Sequence, residues 1–599
     1  MSAHASGRGQ SCSPDESIIC LPNSRPDADI IVVTGAFTPV PLQEMDRSVS
    51  VIEVGESQLL FDHWLDYLQT DSSLDLRRRA PNDVQSDISI RGSSFGETLV
   101  LLNGFRMDDA QSGHHDMDLP LPTESLERIE ILRGAGSTLY GSDAIGGAVN
   151  FITAHPSHSE LRLSAGVGNF GINQQGGSVS LLGRNWDQQL SLERDFSSGF
   201  MSDRDYRSLT VFSDTRVKTR CGTSSLMLAY ADKPYGANQF YGDFNSWERT
   251  KSWFAGWKQD LGLSTEFDLG YRRHTDVFIL FRDRPELYEN NHTTESWQTA
   301  LRRKTSPHPN VTVSYGGEGD VDRISSTNLG DHTRSRGAGY ANLDFRALRR
   351  FSLALGAREE IFDSGQSEFS PTLAGGYWLK PGLRVKGSVS RGFRLPTYTD
   401  LFYHDPANAG NPNLKPESAW SYDAGLQWEA GKRIHIETAV FQNRQQNVID
   451  YVKYFAGDIN HATNFQQLAF TGVETSLRID VSDSQRLDLS YTGIHGTQEA
   501  LKSLFSSQYV FNYPINNAMA GWQGRLPLKL LARTRVGVTQ RFARNPYAVW
   551  DLDFGRRFAN LGARLSFSNL ADVSYQEVAG IAMPGRRAVL SFEYEIKKH

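Results

Sequence analysis

The chain has 599 residues, 39% hydrophobic, 11% aromatic and 22% charged, with a formal net charge of −7. That length exceeds one ordinary globular core and requires at least two domains or one very large closed sheet. No apolar run reaches the ~18–20 residues of a membrane-spanning helix, which excludes a helical membrane protein but not a β-barrel, whose strands need only about 10 residues.

Residues 1–28 are polar and rich in serine and glycine, with Ile18-Ile19 as the only apolar pair, and are read as a flexible segment. They lack the basic start and apolar core of a secretory signal, so a leader is expected to lie upstream of Met1 or to have been removed. Cys12 and Cys20 are close enough for a small loop disulfide in an oxidising compartment, while Cys221 stands alone on a predicted strand. No paired CxxC ligands exist, so no structural zinc site is expected. The mild acidity gives no reason to expect nucleic acid as a partner.

Next comes a β-branched run, Asp29-Ile30-Ile31-Val32-Val33-Thr34-Gly35. Such a segment can add a strand to a partner's sheet edge; it can equally be the first strand of the domain that follows. That domain reads as a strand at Val49–Val54, an amphipathic helix over Gln58–Gln69 built on Leu59, Leu60, Trp64, Leu65 and Leu68, and a strand at Asp87–Gly92. Thr98–Leu102 reads as a strand meeting a type I′ turn at Asn103-Gly104, with Phe105–Met107 starting the return. Arg128–Leu132 and Ala148–Ile152 then flank a loop punctuated by Gly134, Gly136, Gly141, Gly146 and Gly147. The spacing matches neither phosphate-cradling motif, so the glycines are assigned to sharp backbone turns and no nucleotide is implied.

Two polar loops interrupt this domain, Ser93–Glu97 and Asp108–Asp118. The second holds His114, His115, Asp116 and Asp118. Adjacent histidines in a loop rarely converge on one ion, so contact with a ligand is expected there rather than a metal site.

From residue 156 onward the period is two. Leu487, Leu489 and Tyr491 oppose Arg486, Asp488 and Ser490; Leu590, Phe592, Tyr594 and Ile596 oppose Ser591, Glu593 and Glu595. About 20–22 such segments fit the remaining length, a number that suits a closed barrel with a plugged lumen better than a sandwich. Tyr235–Gly242, with Trp247, Trp253 and Trp257 nearby, is aromatic-rich and reads either as a stacking surface for a sugar or planar chelate or as part of a membrane-interface belt. Asp203 and Asp205 have the residue type and loop setting of a calcium site. No motif assembles a nucleophile, base and orienter, so no enzyme activity is expected.

The stretch from Leu126 to Ile152 closely resembles the end of the plug domain of TonB-dependent outer-membrane receptors. Asp29–Gly35 is similar to the TonB box of that family, Phe393-Arg-Leu-Pro396 and Asn411–Glu417 stand where its barrels carry such motifs, and the last strand resembles an outer-membrane insertion signal. The resemblance implies a transmembrane β-barrel of about 22 antiparallel strands in the bacterial outer membrane, its lumen filled by an N-terminal mixed α/β plug. The expected division is a flexible segment 1–28, a TonB box 29–35, a plug 36–155 and a barrel 156–599.

The same resemblance implies active import of a scarce large ligand, a metal chelate such as cobalamin or a ferric siderophore. Tyr140–Gly147 is similar to the corresponding stretch of cobalamin transporters. Uptake of a glycan or other organic nutrient is the alternative, and a passive channel is a more distant one. The implied partners are the TonB C-terminal domain with its ExbB/ExbD motor, which would pair with Asp29, Ile30, Ile31, Val32, Val33 and Thr34, together with outer-membrane lipid. A monomer without a resident cofactor is expected. Arg91 and Arg133 correspond to plug arginines that pair with two barrel glutamates, matched here by Glu417 and Glu474. Ligand contacts are expected at Ser93, Ser94, Phe95, Asp108, Gln111, His114, His115, Tyr235, Phe240 and Tyr241.

Overall fold

Amphipathic strands can turn their apolar face to a core or to lipid, and the burial pattern decides between them. On the strand Asn245–Leu261, Ser246, Glu248, Thr250 and Ser252 are buried, while Trp247, Trp253 and Trp257 face outward. On the last strand Leu590, Phe592, Tyr594 and Ile596 are 41–46% exposed. Polar inside and apolar outside is the inverse of a soluble sandwich and is the pattern of a lipid-embedded barrel. The tryptophans therefore belong to the outer wall rather than to a stacking site.

The computed structural model describes residues 30–36, 39–82, 84–348, 350–497 and 506–598. Among them, 22 long antiparallel strands form one closed sheet. Closure comes from pairing the first barrel strand, Ser159–Gly168, with the last, Arg587–Lys598, Leu163 opposite Tyr594. A closed sheet leaves no edge for aggregation. At one end the strands are joined by short turns, which marks the periplasmic side; at the other, strands such as Ile434–Lys453 and Asn460–Ser482 run past the membrane. Among the described residues no helix is long and apolar enough to cross a membrane. Cys221 lies in the short turn between Tyr206–Lys218 and Thr223–Asn238, not on a strand as its surroundings suggested.

Inside sits the N-terminal domain. Its five-stranded sheet runs in the order Val49–Glu53, Leu126–Arg133, Gly147–Thr153, Thr98–Leu102, Phe105–Arg106. Thr98–Leu102 and Gly147–Thr153 are parallel, and the other pairs are antiparallel. Asn103 and Gly104 have φ of 50° and 85°, the left-handed pair a type I′ turn requires. Gly147 has φ of 146°, and a Cβ there would stand 2.0 Å from the Leu132 carbonyl oxygen, so the neighbouring strand can pair this closely only with glycine. The last strand of this domain ends at Thr153 and the first barrel strand begins at Ser159, on either side of the expected boundary.

One expected element is broken. Instead of a continuous helix over 58–69, a 3-10 turn spans Gly55–Leu60 and an α-helix spans only Trp64–Leu68. Phe61 between them is extended, and the barrel explains why: Arg564 bonds the Phe61 carbonyl, while Arg564 and Arg587 both grip Asp62. The helix restarts through a capping box, His63 accepting from the Leu65 amide at 3.3 Å and Asp66 accepting from the His63 amide at 3.1 Å.

Candidate functional site

The N-terminal segment is folded onto the plug rather than extended into solvent. Ile31 and Val32 pair antiparallel with Pro41 and Val40. Val32 is fully buried, whereas Ile31 and Val33 face outward. The next amides are held by one side chain: Glu130 accepts from Val33 N at 3.0 Å and Thr34 N at 2.7 Å. Charge-assisted bonds of this kind are roughly twice as strong as neutral ones. Asn150 adds a bond to the Thr34 hydroxyl at 2.9 Å, and Arg128 holds Glu130 in turn at 2.8 Å. Glu130 is a residue the sequence reading missed; its place in a predicted strand gave no signal of what it would hold. Asp29 lies outside the described residues.

The arginines form a buried hub on one barrel glutamate. Arg91 grips Glu474 in bidentate fashion, Nε to Oε2 at 3.0 Å and Nη2 to Oε1 at 2.5 Å, and also contacts Asp423 at 2.8 Å. Arg133 stands 3.6 Å from the same glutamate but bonds Asp71 at 2.7 Å and Ser73 at 2.8 Å. Burial pushes the Asp71 carboxyl up, but Arg133 and the Ser73 and Ser50 bonds outweigh it and bring it down to about 2. Arg91 carries a left-handed backbone, φ 54°, and its guanidinium lies 4.5 Å over the Phe441 ring. A non-glycine residue held at positive φ stores strain that the surrounding contacts must sustain.

Glu417 is not part of this hub. It is directly opposite Arg394 in the register of neighbouring strands and bonds it at 2.8 Å, while also accepting from the Ile449 amide at 2.6 Å. The expected pairing of Glu417 with a plug arginine is therefore corrected: a nearer cross-strand partner satisfies it.

At the extracellular end the expected contact residues separate into two groups. Phe95 and His114 stack at 4.2 Å, and both meet Tyr509, at 5.2 and 5.7 Å, in an aromatic cluster edged by Arg77. Ser94 borders it, and Tyr241, 40% exposed, donates to Glu248 at 2.9 Å. Tyr509 is a further residue that the sequence did not single out.

The others are interior. Ser93 is buried against Ile90 and Thr98, and Asp108 bonds Arg106 at 3.1 Å. Gln111 and His115 are buried against the wall. Tyr235 and Phe240 pack with Ala80, Val84 and Tyr206 in an apolar cluster. Ser93, Gln111, His115, Tyr235 and Phe240 are buried and Asp108 is half-buried. At the calcium candidate, Arg282 stands between both carboxylates, 3.1 Å from Asp203 and 3.0 Å from Asp205, supplying the positive charge there itself.

Below the hub, a cavity of about 420 Å3 opens toward the periplasmic side between plug and wall. Val51, Arg133, Lys386, Glu437, Arg478 and Arg535 are among its lining. The arrangement thus has an outer aromatic surface, a buried ionic hub, an inner cavity and a latched N-terminal segment, in order along the barrel axis.

Comparison with known proteins gives this arrangement a context. A model described as TonB dependent receptor-like, beta-barrel matches residues 153–570, and one described as TonB-dependent Receptor Plug Domain matches residues 41–148. The vitamin B12 transporter BtuB of Photobacterium profundum is 27% identical over 442 residues, covering 68% of this chain and 69% of that protein. The iron-regulated outer membrane virulence protein of Vibrio cholerae is 25% identical over 549 residues, covering 83% and 82%. Among solved structures, the siderophore receptor PirA from Acinetobacter baumannii superposes with a TM-score of 0.76 at 17% identity, covering 92% of this chain and 99% of that one. At that identity the likeness concerns the fold alone.

Proposed function

The chain belongs to the TonB-dependent receptor family, importers of the bacterial outer membrane, and from that premise we propose that it takes up a metal chelate of the cobalamin or ferric-siderophore class through TonB pairing at Asp29–Thr34. The observation that carries the reading is the latch: a β-branched segment at the periplasmic end, paired over only two residues and held by the Glu130 carboxylate. So short a pairing is exchangeable for a strand on a partner protein, where more backbone bonds are available.

The proposed sequence of events starts on the Phe95, His114 and Tyr509 surface, whose flat faces suit a conjugated corrin or catecholate edge. Ligand contact there biases the plug. TonB, driven by the ExbB/ExbD motor, takes up the segment 29–34 and pulls. Load passes along the plug strand Leu126–Arg133 to the Arg91, Arg133 and Glu474 hub, and the cavity below it widens into a path. The ligand class is supported by the relatives, one named as a vitamin B12 transporter and another as iron-regulated.

The test is uptake and binding by cells expressing the full chain or a deletion of residues 29–35, using labelled cobalamin and a ferric siderophore in parallel. One ligand should bind both proteins and enter only through the full chain. Equal uptake by the deletion overturns the coupling; binding of neither ligand overturns the ligand class.

A further inference from the structure

His114 and His115 diverge, and of the two it is the second that joins clusters of three ligating side chains. His114 turns to Asp87 at 2.8 Å. His115 turns to the barrel, where its ring centroid is 4.8 Å from that of His274 on the strand Thr265–Ile279. His115, Asp118 and His274, all buried, each offer a ligand atom within 4.8 Å of the others.

The distances suit a coordination shell, although His274 and Asp118 are also within hydrogen-bond reach. Asp118 Oδ2 lies 3.5 Å from His115 Nδ1 and 3.0 Å from His274 Nε2. Ligands at about 2.0–2.1 Å from a tetrahedral zinc ion stand roughly 3.3 Å apart, between those two values. His115 Nδ1 has no hydrogen-bond partner although it is fully buried. A buried ring nitrogen held 3.5 Å from a carboxylate oxygen without a hydrogen bond is an arrangement that a shared cation would relieve.

The remaining ring nitrogens lie near further carboxylates, although His274 Nδ1, like His115 Nδ1, has no hydrogen-bond partner. Asp276 Oδ2 stands 3.5 Å from His115 Nε2, and Asp109 Oδ2 stands 3.1 Å from His274 Nδ1. Each carboxylate is itself held, Asp276 by Gln111 at 3.0 Å and Asp109 by Arg272 at 2.7 Å. Metal-ligating histidines characteristically direct their other nitrogen to a carboxylate, which fixes the ring and raises its basicity. Charge points the same way. The carboxylates of Asp109, Asp118, Glu248 and Asp276 crowd this region, against the cations of Arg272 and of Lys233, which lies 3.8 Å from the other Asp118 oxygen.

We propose that His115, Asp118 and His274 form a binding site for a divalent transition-metal ion of the zinc class, clamping the plug's apical loop to the barrel wall. Water would supply any fourth ligand. The site draws on residues 156 positions apart and is separate from the Arg91, Arg133 and Glu474 hub.

The test uses the full-length detergent-purified chain, stripped with a chelator and titrated with Zn2+ and separately with Co2+. The parent should bind one equivalent of Zn2+ and give the intense visible bands of tetrahedral Co2+. His274→Gln and His115→Gln should abolish those bands, and Asp276→Asn should weaken Zn2+ binding by about 10–100-fold. His114→Gln, a residue next in sequence but turned away, should bind as the parent does. Absence of stoichiometric Zn2+ binding by the parent overturns the proposal, and so does loss of binding equally in the His114 variant. Should the His115 and His274 variants misfold, the parent's Co2+ spectrum and the Asp276 variant still decide it.

Discussion

Glu130 and Arg133 lie three residues apart on one plug strand and hold opposite ends of the proposed pathway. Glu130 accepts from the Val33 and Thr34 amides, while Arg133 reaches Asp71 and stands 3.6 Å from Glu474 on the barrel. An odd spacing on a strand puts the two side chains on opposite faces. The strand is hydrogen-bonded on both sides, to Val49–Glu53 and Gly147–Thr153, and so is stiff enough to carry load from the latch to the hub.

Glu130→Gln leaves the shape but removes the charge that strengthens both amide bonds. The segment 30–34 is expected to detach more often, seen as faster motion of a spin label placed at the outward-facing Ile31. Loss of two charge-assisted bonds corresponds to roughly 1.5–3 kcal/mol each at most. A label equally immobile in parent and variant contradicts the latch.

Arg91→Ala should destabilise the seated plug more than Glu474→Ala. Removing Arg91 leaves Glu474 with the Ser48 hydroxyl at 3.2 Å and the more distant Arg133, and Asp423 with Arg47 as its nearby cation, a loss on the order of 3–5 kcal/mol. Removing Glu474 leaves Arg91 its contact with Asp423 and Arg133 its bond to Asp71, so the loss should be smaller. Urea titration followed by a fluorophore on the plug measures both, and the reverse order refutes this assignment.

Stability should fall with rising pH through Glu97. Burial and the nearby Glu417 push the Glu97 carboxyl up to about 8 from a usual value of 4.5. Between those values the folded state binds more protons than the unfolded one, so the protonated form stabilises at low pH and that contribution is lost as pH climbs toward 8. The stability difference between parent and Glu97→Gln, measured by thermal unfolding at pH 5 and pH 9, should shift against the parent by on the order of 4 kcal/mol. A pH-independent difference contradicts the shift.

Phe95→Ala and Tyr509→Ala should each weaken chelate binding by roughly fivefold, the scale of about 1 kcal/mol lost from one aromatic contact. Phe240→Ala should instead reduce folding yield, because Phe240 is packed among Ala80, Val84 and Tyr206 rather than facing ligand. Equilibrium binding to whole cells, normalised to surface protein, separates the two effects.

The barrel was legible because strand alternation survives along many segments, as at Leu590, Phe592 and Tyr594, and the glycine turns of the plug followed from backbone sterics alone. What pairs with what was not. Motif position placed Glu417 beside a plug arginine, yet its partner Arg394 sits directly across the sheet, a relation fixed by register. The loop holding His115 showed its chemistry, but His274 belongs to a strand far along the chain and nothing local links them. The broken helix at Phe61 has the same origin, since Arg564 and Arg587 act from the opposite end of the sequence.

The central claim is that import requires the plug to move against the wall, and a tether tests it most directly. Ser72 of the plug and Thr492 of the barrel have hydroxyls 3.1 Å apart. Cysteines at both positions, in a chain with Cys12, Cys20 and Cys221 all replaced by serine, should form a disulfide that pins the plug beside the hub. Uptake of labelled chelate should be lost on oxidation and return on reduction, with surface binding unchanged throughout. Undiminished uptake by the fully oxidised protein would contradict the account.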